Sequence, residues 1–434
     1  MSYHKLVAYQ REHFLTGATR SIENRKQTLT TVKQMLEENA EEVNAAIYED
    51  LHRVNDEAGR VAAEAVEIIQ HLEEWSAPTK TEASAPFNAE EDVAYIVREP
   101  VGVVLVISPW NFPLTCSSPA VDALASGNTV ILKPSELAPH FSKTIARLVA
   151  KYFDPKVFAV VEGAVPETTE LLQERFDHIM YTGNPTVGKI IMTAAAKNLT
   201  PVTLELGGKN PVLVESDADL EDAANKIAFS KMYNCGQICL SSDYVLTTAE
   251  TKPKLVEALA KVYKEASPLK DNKGFARIIH ERHFDRLSTL LSKTNGELLF
   301  EAEERQNREE KFLPPRVYGI KEDDALMSEE IFGPILPIIT VKDFDESLKF
   351  VKTHEKPLGA YIFTKDPKKI ERFIKETSSG GVTVNDVMKH AYLPHAPFGG
   401  VGNSGTGKLG HRYGYNTFTH EKTVLLRKNV DFHI

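Results

Sequence analysis

The sequence predicts an α/β fold built on parallel sheets, and three observations support that expectation. From residue 101 onward, short β-branched runs alternate with helix-length stretches, a pattern that requires right-handed crossovers between parallel strands. The 434 residues exceed what one hydrophobic core usually holds, so two or three compact units are expected. With 42% hydrophobic and 26% charged residues, the composition is that of an ordinary soluble globular chain.

The elements follow in order. Between Ser21 and about Trp75, Ile22, Leu29, Val32 and Leu36 fall at helical spacing. Asn39 and Glu42 form a capping-box pattern ahead of Val43, Ala46 and Ile47, so an amphipathic helical layer opens the chain. Residues 77 to 92 lose periodicity and collect Pro, Ser, Thr and acid, as a loop or projecting arm does. VGVVLVIS (101–108), TVILKP (129–134), VFAVVEG (157–163) and HIMYTG (178–183) read as strands, with helical stretches such as FSKTIARLVAKYF between them. A second alternating region runs from PVLVE (211–215) through YVLTT and LPIITV to GVTVN (381–385). The polar and aromatic tail ends in TVLLRK, which is suited to pair as a strand with the arm at 77–99.

Charge and thiols narrow the function classes. Against 61 acidic residues stand 51 basic ones, with no basic cluster, so phosphate backbones and anionic lipid surfaces are poor partners. Three cysteines, Cys116, Cys235 and Cys239, cannot build a disulfide framework and fit a reducing compartment. No apolar run near either end reaches the 18 or so residues of a spanning helix, and the N-terminus is too polar for a signal peptide. A cytoplasmic protein without a membrane anchor is expected.

Several glycine-rich segments resemble phosphate loops. Gly400, Gly402 and Gly405 spell G-x-G-x-x-G but do not follow a strand, and no clear helix succeeds them. Gly183–Lys189 and Gly402–Lys408 spell G-x-x-x-x-G-K, yet Ile190 and Leu409 stand where a nucleotide triphosphatase needs a hydroxyl. The Gly183 segment still joins a strand to a helix, with Asn184 as a good N-cap and Pro185 at the first helical position. Two readings stand, a plain turn or a pyrophosphate site at a helix N-terminus. Lys133, ending a strand, and Glu136 just beyond it tip the balance, because an acidic group there can bind ribose hydroxyls.

Three residues suggest covalent chemistry. Cys239, in MYNCGQICLSS, is either inert filler or a nucleophile, and a zinc pair with Cys235 lacks its other ligands, so no metal is expected. Glu205, between leucines in VTLELGGKNP, is either an edge-strand residue reaching solvent or a desolvated general base. Asn111, framed by Pro109, Trp110 and Pro113, forms either an Asx turn or a donor to a developing oxyanion.

SPWNFP (108–113), KPSE (133–136), FDHIMYTGN (176–184), LTPVTLELGGKNP (199–211), GQIC (236–239), EEIFGPILP (329–337) and PFGGVGNSG (397–405) resemble the ordered signatures of the aldehyde dehydrogenases. VVEG followed by ETTELL, the run RIIHERHF and the short N-terminus bring the chain closer to the class 3 branch of fatty and aromatic aldehyde dehydrogenases. The chain departs from many class 3 members at Gly410, His411 and Arg412, where they carry His-Gly-Lys.

The resemblance implies an aldehyde dehydrogenase-like fold with a variant Rossmann cofactor domain (1–78 and 100–207), an α/β catalytic domain (208–405) and a bridging β element (79–99 and 406–434). It implies Cys239 as nucleophile, Glu205 as general base and Asn111 as oxyanion donor. It also implies cofactor contacts from Trp110, Lys133, Glu136, Gly183, Asn184, Gly188, Gly207, Glu330 and Phe332. The expected activity is oxidation of medium- or long-chain aliphatic or aromatic aldehydes to acids, with NAD preferred and NADP also accepted, in a homodimer. Two alternatives remain, an acylating aldehyde dehydrogenase that passes the acyl group to coenzyme A and has no use for a water-activating base at Glu205, and a catalytically silent binding or structural homologue, which would lack at least one of the three residues. Cys235 stands near enough in sequence to Cys239 for an oxidative bridge.

Overall fold

The computed structural model describes residues 2–84, 86–88, 90–267, 269–271 and 275–428. The expected segments 79–99, 208–405 and 406–434 each include residues outside that set. Three sheets organise the described chain.

The first sheet places Val103–Ile107 at its centre. Thr129–Lys133 and then Phe158–Val160 lie on one side of it, with His178–Gly183 and then Val202–Leu206 on the other, and all five strands are parallel. Because side chains alternate along a strand, Val104 and Val106 enter one core while Val103, Leu105 and Ile107 enter another. Burial on both faces explains why VVLVI is an unbroken apolar run rather than an alternating one. The helices Ile22–Glu38, Ala40–Leu51 and Glu57–Ser76 cover the first of these faces.

The expected capping box at Asn39 does not form. Asn39 lies between two consecutive helices and makes no side-chain cap. Its amide instead donates to the Met35 carbonyl at 2.7 Å and the Tyr152 hydroxyl at 3.1 Å. It thus satisfies the end of the preceding helix, a competing use of the same side chain.

The second sheet has seven strands, with Tyr244–Thr248, Pro211–Val214 and Gly359–Phe363 adjacent near its middle and only the outermost, Glu297–Glu301, antiparallel. The third joins Thr79–Thr81, Val93–Pro100 and Thr419–Leu426 in antiparallel order. The tail therefore pairs with the arm, beginning four residues before the TVLLRK run. Just upstream, Gly405–Thr406 adds an antiparallel edge strand to Val202–Leu206. Leu409, Tyr415 and Phe418 fill the helical core, and the Tyr415 hydroxyl bonds that of Ser76 at 2.9 Å.

Candidate active site

The strand order reverses at Val103–Ile107, whose neighbours on either side follow it in opposite chain directions through the sheet. In such sheets ligands bind outside the carboxyl ends at the reversal. The segments that leave those ends are Ser108–Asn111, the Lys133 turn, Gly183–Asn184 and Gly207.

Asn111 is buried at the first of these ends. Its Nδ2 donates to the Gln237 carbonyl at 3.1 Å, which occupies one amide hydrogen and leaves the other. The Asn234 amide donates to the Asn111 and Gln237 carbonyls, at 3.0 Å each. The amide predicted as an oxyanion donor is thus bonded to the loop that carries Cys239, two residues beyond Gln237.

That loop begins under backbone constraint, since Asn234, Cys235 and Gly236 all have left-handed φ values of 52°, 55° and 69°. A Cβ at position 236 would stand 2.4 Å from the Gly333 carbonyl, so only glycine fits there. Beyond it, the buried Asn210 amide donates to the Cys239 and Ser241 carbonyls at 2.8 and 2.9 Å, and the Tyr361 hydroxyl donates to the Leu240 carbonyl at 2.7 Å. Cys239 is half-buried. Burial, then the Glu330 and Glu205 carboxylates, push its thiol up to about 12, so the resting sulfur holds its proton.

Glu205 does not lie on an edge strand reaching solvent. Thr182 on one side and Gly405 on the other are its neighbours in the sheet. The side chain is buried, and among the described residues neither oxygen makes a well-formed hydrogen bond, the Gly400 N–H being a weak neighbour only. Desolvation pushes its carboxyl up to about 8, against a lesser opposing pull from the Lys408 ammonium and the Gly400 N–H. The Gly-x-Gly spelling at 400–405 has a structural use here: a Cβ at Gly400 would stand 2.1 Å from the Ser404 carbonyl and one at Gly405 2.2 Å from the Leu204 carbonyl, and Gly402–Ser404 forms a short turn, not a phosphate loop; just before it, a Cβ at Gly399 would come 2.9 Å from Glu205 Oε1.

The predicted cofactor residues form two groups. In the first, the Trp110 and Phe332 rings meet edge to face at 5.5 Å. Glu330 lies against Gly207, where a Cβ would be 2.0 Å from Oε2, and burial raises its carboxyl to about 8. Arg286 holds this loop through the Glu330 and Ile331 carbonyls at 3.2 and 2.6 Å. Glu330 is also the carboxylate with the strongest field at Cys239, which ties this group to the thiol.

The second group lies around Tyr181. Lys133 is buried and donates to the Pro134 carbonyl at 2.6 Å, and its pKa is lowered by burial against the opposing field of the exposed Glu136. Glu136 also acts on the Tyr181 hydroxyl, whose burial raises it to about 12. That hydroxyl occupies the space of a Cβ at Gly183 and accepts from the Asn184 N–H at 3.0 Å. Asn184 caps the helix Pro185–Ala196 by accepting from Val187 N–H at 3.0 Å, as its side chain predicts. Gly188 lets that helix approach Leu206, where a Cβ would come within 3.1 Å. The N-terminus is therefore largely self-capped, since Asn184 takes the Val187 and Gly188 N–H groups and Tyr181 takes that of Asn184. An anion there would meet chiefly the helix dipole.

Sequence reasoning missed Asn234, Gln237, Gly399, Lys408, and the buried Arg53 and Glu57 beneath Asn111. An i,i+4 pair such as Arg53–Glu57 gives no local signal that it is buried. Cys235, the partner considered for an oxidative bridge, is fully buried, and its Sγ donates to the Leu313 carbonyl at 3.8 Å. Among the other thiols it is Cys116 whose ionisation feels Cys239.

With this geometry in place, comparison with known proteins is direct. Residues 2–424 match the aldehyde dehydrogenase family. A rat protein named aldehyde dehydrogenase, dimeric NADP-preferring, is 41% identical over 97% of this chain and 94% of its own length. Mouse aldehyde dehydrogenase family 3 member A2 is 41% identical over 96% and 87%. A solved Staphylococcus aureus structure, described as the substrate-bound state of AldH, aligns at TM-score 0.95 and 34% identity over 100% of this chain and 96% of that one. Among the described residues, no helix is long and apolar enough to cross a membrane. Two sheet units meeting at a half-buried thiol, a buried carboxyl and a buried amide, with likeness to these relatives over nearly the whole chain, place it in the class 3 branch of the aldehyde dehydrogenase family, as an NAD(P)-dependent aldehyde dehydrogenase.

Proposed function

We propose that Cys239 is the nucleophile, Asn111 the side-chain oxyanion donor and Glu205 the general base of a hydrolytic aldehyde oxidation. The observation that carries this reading is Glu205, a buried carboxyl without a well-formed hydrogen bond, acting on the Cys239 thiol, while the Asn111 amide is anchored to the Cys239 loop. The Cys239 thiol passes its proton to solvent water, and the resulting thiolate adds to the aldehyde carbon to form a thiohemiacetal as the carbonyl pair moves onto oxygen. The second Asn111 amide hydrogen and the Cys239 N–H hold its oxyanion. A bound nicotinamide supplies the hydride acceptor. Glu205 takes a proton from the water that attacks the resulting thioester, which releases the acid and the thiol.

Trp110, Gly207, Glu330 and Phe332 would hold the nicotinamide half, and Lys133, Glu136, Gly183, Asn184 and Gly188 the adenosine half. The close contact between the Glu330 carboxylate and Gly207, where a Cβ would displace it, and the Lys133–Glu136–Tyr181 group at the strand ends suit those roles. We assign NAD as the preferred cofactor with NADP accepted, since an exposed acid at 136 binds ribose hydroxyls and repels a phosphate that Lys133 partly offsets. The substrates are medium- or long-chain aliphatic or aromatic aldehydes. Stacked Phe229 and Tyr233, with Phe112 5.8 Å from Tyr233, supply apolar surface beside the Asn111 loop.

Residues 1–78 and 100–207 form the cofactor domain, 208–405 the catalytic domain, and 79–99 with 406–434 the bridging element of a cytoplasmic homodimer. Initial rates on aliphatic and aromatic aldehydes with each cofactor, followed by nicotinamide absorbance, test the assignment. Absence of oxidation across the panel would refute it.

A further inference from the structure

The loop that carries Asn111 is held from below by two side chains with no solvent exposure, Arg53 and Glu57. Arg53 Nη2 pairs with Glu57 Oε1 at 2.5 Å, and Arg53 Nη1 donates to the Asn111 carbonyl at 3.0 Å. Its guanidinium also lies 4.2 Å from the centre of the Phe112 ring. Glu57 Oε2 accepts from the Leu114 and Thr115 N–H groups at 3.1 and 2.8 Å, at the start of the turn Thr115–Ser117. One ion pair therefore grips the loop on both sides of Pro113, and the Asn111 carbonyl it holds is shared with Asn234 of the nucleophile loop.

Stability alone does not account for such an arrangement. Two buried charges are costly to desolvate, and apolar residues of similar size often serve stability as well or better. What apolar residues do not supply is a directed donor to one carbonyl and a directed acceptor for two N–H groups. We infer that Arg53 and Glu57 are positioning residues for the oxidation: they fix the Asn111 amide where the oxyanion forms. The inference rests on the oxyanion role proposed for Asn111.

The test compares Arg53→Met/Glu57→Leu with wild type and repeats the pair in an Asn111→Ala background. A misplacement of the order of 1 Å at a reacting centre lowers rates about 100-fold. We expect a folded double variant whose kcat falls by about that factor, with cofactor KM unchanged. Cofactor-free hydrolysis of 4-nitrophenyl acetate, which also passes through an oxyanion on the thiol, should fall in parallel. In the Asn111→Ala background the same pair of substitutions should have little further effect. Wild-type kcat in the folded double variant overturns the inference, as does a full additional loss in the Asn111→Ala background. Wild-type kcat for Asn111→Ala alone removes the oxyanion reading instead, and the positioning role with it. Should the double variant not fold, isosteric Glu57→Gln keeps the question open to test: a drop of about tenfold, restored in part by Glu57→Asp, supports positioning, and unchanged kcat refutes it.

Discussion

A carboxyl buried away from water keeps its proton to higher pH, and Glu205 combines that property with a field at the sulfur of Cys239, the proposed nucleophile. Acting as a base requires the ionised form, so steady-state turnover should rise with pH through about 8. Glu205→Gln should lack that rise and still give a burst of reduced cofactor equal to the enzyme concentration, followed by a stall at the thioester. A variant with normal steady-state turnover would remove Glu205 from the mechanism. The same shift has a sign for stability. The folded state binds the Glu205 proton more tightly than the unfolded chain, so its contribution is complete below the ordinary carboxylate range and lost as pH rises through about 8. Glu205→Gln should therefore gain in Tm over wild type on going from about pH 5 to about pH 9, read by calorimetry. Cys239→Ala should abolish oxidation while cofactor titrations, followed by quenching of protein fluorescence, stay near wild type, because the thiol makes the covalent bond without holding the cofactor.

At the scale of single elements, the turn after Val202–Leu206 offers a sharp test. A methyl group at Gly207 would collide with the Glu330 carboxylate, the far end of a flexible side chain, and not with backbone. Gly207→Ala should consequently fold with little change in Tm, yet displace Glu330. Loss of its hydrogen bonding would raise cofactor KM about tenfold, and an unchanged KM would separate Glu330 from the cofactor. How far such elements can be read from sequence depends on the range of the interactions that define them. The Asn184 cap and the strand Val103–Ile107 are set by neighbours within a few residues, and both stand where local chemistry places them. Asn39 is ambiguous locally, since one side chain can serve the helix behind it or the helix ahead, and packing against Tyr152 settles the choice. The strand Gly405–Thr406 is too short for any periodicity, yet it covers Glu205. Arg53 and Glu57 spell a surface ion pair, and only their packing beneath residues 111–115 buries them.

For the whole molecule, the third sheet bears on assembly. It has only three strands, and Thr419–Leu426 lies at its border with one side unpaired along eight residues within the described chain. An open edge of that length is a template for another strand, and a second copy of the chain is the partner that the homodimer proposal requires. Sedimentation equilibrium should give twice the chain mass, and a monomer at micromolar concentration would refute the proposal. Ion pairs between Lys422 and Glu99 and between Arg98 and Glu421 stitch this sheet internally, so the tail should stay attached to the arm in either state.

The residues around Glu205 come from distant parts of the chain, and the last of them, Gly399 through Lys408, arrive only when the tail threads back beside Val202–Leu206. During synthesis on a ribosome the thiol and the amide emerge long before that tail does. Until that segment docks, the Glu205 carboxyl lacks its cover, and with less burial it holds its proton less tightly. A chain in which residues 399–408 have not yet docked thus carries Cys239 and Asn111 without the enclosure of Glu205, and the proposed centre is complete only once this late segment packs.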